Sequence, residues 1–131
     1  MESSFIKRIV DNLKGRSIFL IGMMGSGKSI TGSTLAKYLS YKYIDVDNLI
    51  EKISDKSINR IFKDNGERFF RELETKCLLE IVKVHSSVVS TGGGIIETTQ
   101  NWGLLRQGIV VWLDLDKTVA IERLELEADN R

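Results

Sequence analysis

The stretch GMMGSGKS, residues 22–29, decides the fold of this chain. It matches the pattern G-x-x-x-x-G-K-[ST], follows an apolar run at 17–21 and precedes a helix-like segment at 28–40. That order of strand, glycine-rich turn and helix start is the context of the phosphate-binding P-loop. Glycines let backbone amides approach a phosphate closely, and the helix start adds a favourable field for an anion. The pattern predicts a bound nucleoside triphosphate; a glycine-rich turn with an accidental lysine is the alternative.

The last residues of the loop carry its polar chemistry. Lys28 is expected to place a positive charge on the β- and γ-phosphates. The hydroxyl of Ser29 is a hard oxygen ligand suited to Mg²⁺. We therefore expect magnesium as cofactor, with ATP as co-substrate.

Composition narrows the classes of partner. The 131 residues suit one domain, and 19 basic residues nearly balance 18 acidic ones, so charge gives no reason to expect nucleic acid or an anionic membrane. The single cysteine, Cys77, excludes an internal disulfide; it fits a reducing cytoplasm and is expected in the core. No run approaches the roughly 18 apolar residues of a membrane helix. Residues 3–14 have helical spacing, which indicates an amphipathic helix rather than a signal peptide; a role at a membrane surface is the weaker alternative.

The order of predicted elements indicates a parallel sheet. Strands are expected at 17–21, 43–46, 88–91 and 108–115, and helices at 3–14, 28–40, 47–53, 57–64, 66–84 and 117–127. The strands are continuously apolar and alternate with helices, as in α/β domains whose parallel sheet is covered on both faces. Neither a repeat nor a linker interrupts the pattern.

Polar residues follow three of these strands, at the edge where open parallel sheets bind ligands. The P-loop follows the first strand, Asp45 and Asp47 the second, and three glycines, Gly92 to Gly94, the third. If the chain is still extended, the spacing of the two aspartates aims both carboxylates the same way. One then faces Mg²⁺ beside Ser29 and the other reaches an acceptor pocket. Alternatively, Asp47 is only the N-cap of a helix beginning at Asn48.

Two further segments have open interpretations. A tight turn explains one or two glycines, whereas three at the mouth of a parallel strand suggest amide donors facing a small polar ligand. The charged segment at 66–74 is most simply a solvated helix face with pairs such as Arg71 with Glu74.

Together these motifs resemble the shikimate kinase family. The matching pieces are the P-loop, the D-x-D of 45–47, an I-F…G-E…F-R pattern within 61–71, the G-G-G of 92–94, and Trp112-Leu113. Met23-Met24 and Asn101-Trp102 are closer to cyanobacterial and plastid members. The resemblance covers nearly the whole chain. It implies a P-loop NTPase fold of the nucleoside-monophosphate-kinase-like type, three-layered, and transfer of phosphate from MgATP to the 3-hydroxyl of shikimate in aromatic amino-acid biosynthesis.

The resemblance also implies residue roles by position. Lys28 and Asp47 are implied to be catalytic, with Asp47 binding the acceptor hydroxyl and taking its proton. Ser29 and Asp45 are implied to hold the metal. The phosphates of ATP are assigned to Met24, Gly25, Ser26, Gly27, Lys28 and Ser29. Shikimate is assigned to Asp47, Phe62, Phe70, Arg71, Gly92, Gly93 and Gly94. For Arg71 this replaces the solvated-face interpretation, because a guanidinium is the natural partner of a substrate carboxylate.

Two departures from the family pattern matter. Ile30 stands where Thr commonly follows the P-loop serine, which is tolerable because Ser29 already offers the ligand oxygen. The sequence stops at Arg131, which is compared with an ATP-binding arginine of the family's lid but lies one residue out of step. We expect one domain over 1–131, with 1–16 as a helical extension and the last strand and helix missing.

The partners expected are shikimate and ATP, with no nucleic acid or membrane, in a cytoplasmic monomer. Two alternatives stay open at this point. One is a non-catalytic nucleotide-binding or regulatory relative, favoured by the short lid. The other is a different small-molecule kinase, acting on gluconate or a nucleotide, which is not expected to combine all these motifs.

Overall fold

A computed structural model describes residues 2–22 and 27–113, with side chains from Ser4 onward. The helices are α1 (Glu2–Leu13), α2 (Lys28–Leu39), α3 (Val46–Ser54), α4 (Ile58–Ile81) and α5 (Thr99–Leu105). The strands are β1 (Ile18–Gly22), β2 (Lys42–Asp45), β3 (Ser87–Ser90) and β4 (Ile109–Leu113), and a 3₁₀ turn covers Ile95–Glu97.

The four strands form one parallel sheet in the order β2-β3-β1-β4. Its register pairs Leu20 of β1 with Ser90 of β3 and Val111 of β4, and pairs Asp45 of β2 with Ser90. Because all strands run the same way, their carboxyl ends share one edge. The end of β1, which leads into the P-loop, the end of β2 and the glycine turn therefore lie at that edge, as the sequence predicted.

Helices cover both faces of the sheet. On one face, Phe19 and Ile21 join a core built with α3, α4 and α5; on the other, Ile18 and Leu20 pack against α1 and α2. Successive residues of β1 thus enter opposite cores, since side chains of a strand alternate between faces. This explains the continuously apolar sequence of the strand and confirms the predicted three-layer α/β fold.

The predicted boundaries are right to within a few residues, with two differences. β2 ends at Asp45 and α3 begins at Val46, one residue before the expected start. The two helices predicted at 57–64 and 66–84 are found: α4 is non-helical at Gly66, which separates its two helical parts and whose φ of 86° and ψ of 169° are accessible essentially to glycine alone. The 3₁₀ turn and α5 were not predicted. The helix expected at 117–127 lies outside the described residues.

Two further expectations concern membrane-spanning helices and the place of Cys77. The structure describes residues 2–22 and 27–113 for this comparison. None of its helices is long and apolar enough to cross a membrane. Cys77 is 4% exposed and belongs to the core on the α4 face, and burial raises the pKa of its thiol. It has the environment of a packing residue, as expected, and not that of a nucleophile.

Candidate nucleotide and substrate site

The P-loop ends in a conformation that needs glycine. Gly27 has φ 88° and ψ 20°, the left-handed region, and it immediately precedes α2. Its carbonyl accepts the Thr31 amide at 2.8 Å, so the residue closes the first turn of the helix. Three predicted phosphate-binding residues, Met24, Gly25 and Ser26, lie outside the described residues, as does Arg131.

The side chain of Lys28 reaches back to the end of β1. Its ammonium group donates to the carbonyl of Gly22, at the end of β1. Burial lowers the pKa of Lys28, and the negative charges of Asp47 and Asp45 oppose that effect. The lysine therefore contacts the end of β1 and lies within the electrostatic reach of the two aspartates predicted to complete the site.

Asp45 joins the loop to the second strand. Its Oδ1 accepts the Asn48 amide at 3.1 Å, which makes it the N-cap of α3, and its Oδ2 accepts the Ser29 hydroxyl at 3.4 Å. The alternative that Asp47 caps this helix is therefore wrong. Two hard oxygens side by side suit Mg²⁺ that takes its remaining ligands from phosphate and water. Among the described residues no cluster of three or more acidic, His or Cys side chains offers a site made by protein alone.

Asp47 points to a different part of the site. It lies in the first turn of α3, so the expectation of two carboxylates aimed the same way along an extended chain is wrong. Its Oδ1 is 2.9 Å from the position that a Cβ on Gly92 would occupy. Burial, and secondly the charge of Asp45, raises the pKa of Asp47, with Lys28 and Arg71 acting in the opposite direction. A half-buried carboxyl with a raised pKa is a stronger base than an ordinary aspartate.

Two of the three glycines are required because neighbouring side chains leave no room for a Cβ atom, and not because of their backbone angles. A Cβ on Gly92 would press on the Asp47 carboxylate, and a Cβ on Gly94 would overlap the guanidinium of Arg71. Gly94 has φ −99°, which any residue adopts. Gly92 and Gly94 thus make room for the protein's own charged side chains, a role that the sequence interpretation missed. Gly93 is exposed, and its amide contact with a ligand stays a prediction.

Arg71 is surrounded by carboxylates. Its guanidinium lies 3.2 Å from Glu74, 3.4 Å from Glu97 and 3.6 Å from Glu67, and its Cζ is 5.3 Å from the centre of the Phe70 ring. The pairing with Glu74 predicted for a solvated helix face exists, but Glu74 is completely buried. Arg71 is therefore held on the inner side of α4, beside the glycine turn.

Glu74 is the member of the site that sequence reasoning did not identify. Its Oε1 pairs with Arg71, whereas its Oε2 has no hydrogen-bond partner among the described residues and lies 3.4 Å from the Cβ position of Gly92. Burial raises its pKa, and Arg71 opposes that effect. A signal existed: Glu74 follows Phe70 by one helical turn and precedes Leu78 by another, so it shares their buried face.

The two predicted aromatic residues lie together but differ in exposure. The rings of Phe62 and Phe70 are 4.7 Å apart between centres, at 40°. Phe70 is 4% exposed and belongs to the core, whereas Phe62 is 36% exposed. Phe62 is therefore the one that offers an open ring face to a ligand.

The described part of the chain has two sizeable cavities, and only one of them adjoins these residues. One, of about 360 Å³, lies between α4 and the segment around Thr98 and includes Arg71 and Thr75. Another, of about 460 Å³, lies at the opposite end of the strands beside Ser17 and His85. The charged groups converge at the carboxyl edge of the sheet, which is where open α/β sheets bind ligands, so we place the functional site there and not in the larger cavity.

Comparison with known proteins points to one family. The family model described as shikimate kinase matches residues 24–131. The shikimate kinase of Prochlorococcus marinus strain MIT 9211 is 51% identical over 128 residues, which cover 98% of this chain and 65% of that protein. Its counterpart from strain NATL2A is 53% identical over 125 residues, covering 95% of this chain and 63% of the relative. The chain thus spans a little under two thirds of the length of these relatives.

A solved structure shares the same architecture. The shikimate kinase of Acinetobacter baumannii, in complex with shikimate, superimposes with a TM-score of 0.84 and 32% identity, covering 98% of this chain and 69% of that one. The family match argues against the alternative of a gluconate or nucleotide kinase. This chain belongs to the shikimate kinase family.

Proposed function

We propose that this protein transfers the γ-phosphoryl group of MgATP to the 3-hydroxyl of shikimate. The observation that carries the proposal is the convergence of Lys28, Asp47 and Arg71 at one edge of the sheet, from three separate segments of the chain. A phosphate-binding cation, a basic carboxylate and a carboxylate-binding guanidinium are the three groups that this reaction needs.

The nucleotide side of the site is formed by the P-loop and Asp45. The amides of 24–29 and the helix start hold the phosphates, and Lys28 neutralises charge on the transferred group. Arg131 contributes to ATP binding as the resemblance implies. Ser29 and Asp45, whose oxygens are 3.4 Å apart, hold Mg²⁺, which when bound neutralises charge on the phosphate oxygens.

The acceptor side is formed by α3, α4 and the glycine turn. Arg71 binds the carboxylate of shikimate, which replaces the exposed carboxylates of Glu67 and Glu97 as its partner. The contact of Arg71 with Glu74 is kept, because Glu74 is buried. Phe62 and Phe70 form the wall of the pocket, and the backbone of Gly92, Gly93 and Gly94 forms its floor.

Asp47 then acts as the base. It accepts the proton of the 3-hydroxyl as that oxygen bonds to the γ-phosphorus and the bond from phosphorus to the bridging oxygen of ADP breaks. ADP leaves with the bridging oxygen and its electron pair, and the proton stays on Asp47 until solvent removes it. Most of the barrier is lowered by alignment and charge neutralisation, as in other phosphoryl transfers.

We further infer that residues 1–131 act as one domain, with 1–16 as a helical extension, in a monomeric cytoplasmic protein. Its near-neutral net charge of +1 supports small-molecule partners over nucleic acid or an anionic membrane. Shikimate and ATP are the partners proposed.

The test is release of ADP from MgATP with and without shikimate, on this chain and on Asp47→Asn. We expect shikimate-dependent release that the variant lacks. Gluconate and a nucleoside monophosphate in place of shikimate should give none. Binding of both MgADP and shikimate without any turnover would instead support the non-catalytic relative, and absence of shikimate binding would overturn the proposal.

A further inference from the structure

A buried polar link connects α4 to the segment that follows the glycine turn. The Thr75 hydroxyl donates to Oδ1 of Asn101 at 2.8 Å, and Nδ2 of Asn101 donates to the carbonyl of Ile95 at 2.9 Å. Asn101 is completely buried and Thr75 is 8% exposed. The orientation of the amide follows from chemistry, because the Ile95 carbonyl only accepts and so must face the NH₂ group.

The link acts on the residue next to the glycine turn. Ile95 directly follows Gly94, its amide donates to the Gly92 carbonyl at 3.3 Å, and its side chain is 1% exposed. Both backbone groups of Ile95 are therefore held: its amide closes the turn, and its carbonyl accepts a hydrogen bond from Asn101. A parallel contact joins the next residues, since Nε1 of Trp102 donates to the Ile96 carbonyl at 3.2 Å.

The other end of the link lies beside Arg71. Thr75 follows Arg71 by four residues, so both side chains leave the same face of α4 at successive turns. Arg71 touches the turn directly, because its guanidinium fills the space beside the Cα of Gly94. α4 thus contacts the glycine segment twice, once through Arg71 and once, one turn further on, through Thr75 and Asn101.

We infer that Asn101, with Thr75, is a positioning pair that fixes the glycine turn relative to Arg71 and so sets the geometry of the shikimate pocket. This inference rests on the proposed function. Neither side chain touches the reacting atoms. Without the pair, the distance between the Gly92–Gly94 backbone and the guanidinium of Arg71 is no longer fixed. Small misplacements of binding groups weaken recognition of a ligand.

The test uses Thr75→Val, which removes the hydroxyl and keeps the shape, so the variant should fold. Shikimate and MgADP are titrated separately by calorimetry. We expect shikimate to bind roughly three- to tenfold more weakly and MgADP to bind unchanged. Thr75→Ser, which keeps the hydroxyl, should restore the affinity for shikimate.

A matched control is Ser17→Ala. Ser17 is also buried, and its hydroxyl bridges two elements by donating to the Val84 carbonyl at 3.2 Å and accepting the Ser87 amide at 3.1 Å. It lies at the opposite end of the sheet. Its loss should lower the melting temperature as Thr75→Val does, without changing shikimate affinity. Equal shikimate affinity in Thr75→Val and the unsubstituted chain would overturn the inference.

Amide hydrogen exchange separates this inference from the proposed function. The amides of Ile95 and Glu97 donate to the carbonyls of Gly92 and Gly94. Both should exchange faster in Thr75→Val than in Ser17→Ala, whether or not shikimate is the substrate. Faster exchange in a chain that does not bind shikimate would keep the positioning link and reject the proposed substrate; unchanged exchange would reject the link.

Discussion

The nucleotide side and the acceptor side of the site are built on different physical principles. On the nucleotide side, Gly27 contributes a backbone conformation, and Ser29 and Asp45 contribute an exposed polar contact. On the acceptor side, Asp47, Arg71 and Glu74 are charged groups partly or fully withdrawn from water, and Gly92 and Gly94 make space for them. The first side is contained in a local sequence pattern, whereas the second depends on tertiary packing.

That difference implies a different sensitivity to substitution. A hydrogen bond near solvent can be removed at a small cost, because water takes the place of the lost partner. Buried charges hold one another in place, and each loses its compensation when a partner is removed. Substitutions of the charged residues on the acceptor side should therefore affect binding of the acceptor and leave binding of the nucleotide unchanged.

The largest effect is expected from Asp47→Asn, which keeps the shape of the side chain and removes the base. General-base catalysis contributes about 10²–10⁴-fold, so kcat should fall by about that factor while MgADP affinity stays the same. Turnover with shikimate and calorimetric titration with MgADP measure the two quantities. Unchanged turnover would remove Asp47 from the mechanism.

Next is Arg71→Lys, which keeps the charge and removes the fork that contacts both Glu74 and a ligand. A charged hydrogen bond of about 1.5–3 kcal/mol corresponds to roughly ten- to a hundredfold weaker binding of shikimate. The KM for ATP should stay the same. An effect confined to ATP would show that the guanidinium does not belong to the acceptor side.

A change of pH should have an effect of intermediate size, and it should act on the acceptor side and not on the nucleotide side. Protonation of Asp47 in acid should lower kcat/KM for shikimate by about tenfold per pH unit. Because burial raises the pKa of Asp47, this decline should begin at a higher pH than an ordinary aspartate would give. MgADP affinity over the same range serves as the comparison. A decline matching that of an unperturbed carboxyl would contradict the buried environment assigned to Asp47.

The same shift has a consequence for stability. With its pKa raised above the unfolded value, Asp47 binds protons more tightly in the folded state, so it destabilises the protein at neutral pH and this cost disappears as the pH falls below both values. Asp47→Asn should therefore melt at a higher temperature than the unsubstituted chain at pH 7, and this gain should shrink in acid. A lower melting temperature at pH 7 would contradict the assignment.

The smallest effect is expected from Glu97→Gln. Glu97 is an exposed partner of Arg71 at 3.4 Å, in the place proposed for the substrate carboxylate. Because exposed ion pairs contribute about 0.2–1 kcal/mol, its removal should tighten shikimate binding by about 1.4- to fivefold. Glu80→Gln, which removes the exposed pair with Lys83 just beyond the end of α4, is the matched control and should change nothing. Weaker binding in Glu97→Gln would show that Glu97 supports the site instead of competing for it.

Much of the fold could be predicted because the signals are local. Continuous apolar strands, helical spacing and the P-loop pattern lie within short windows, and these gave four strands in nearly the right places. The segment 95–105 was missed because its two helices are very short and are stabilised by contacts with α4 through Asn101, not by their own propensity. The helix start at Val46 was misplaced because either aspartate is an acceptable cap, and only the fold decides which amide is within reach.

The acceptor side was less predictable for the same reason. The glycines at 92 and 94 looked like ligand contacts, since the sequence does not show that Asp47 and Arg71, distant along the chain, press against them. Arg71 alone looked like a surface residue, and the burial of Glu74 appears only when α4 packs on the sheet. A resemblance to a family supplied what local reasoning left open.

The most direct test of the difference between the two sides pairs Gly27→Ala with Gly94→Ala. Gly27 needs its positive φ and Gly94 needs space for Arg71. Titrating MgADP and shikimate into each variant should show at least about tenfold weaker MgADP binding only in Gly27→Ala, and at least about tenfold weaker shikimate binding only in Gly94→Ala. If each variant lost affinity for both MgADP and shikimate to a similar extent, the two sides of the site would not be independent, and the account would be wrong.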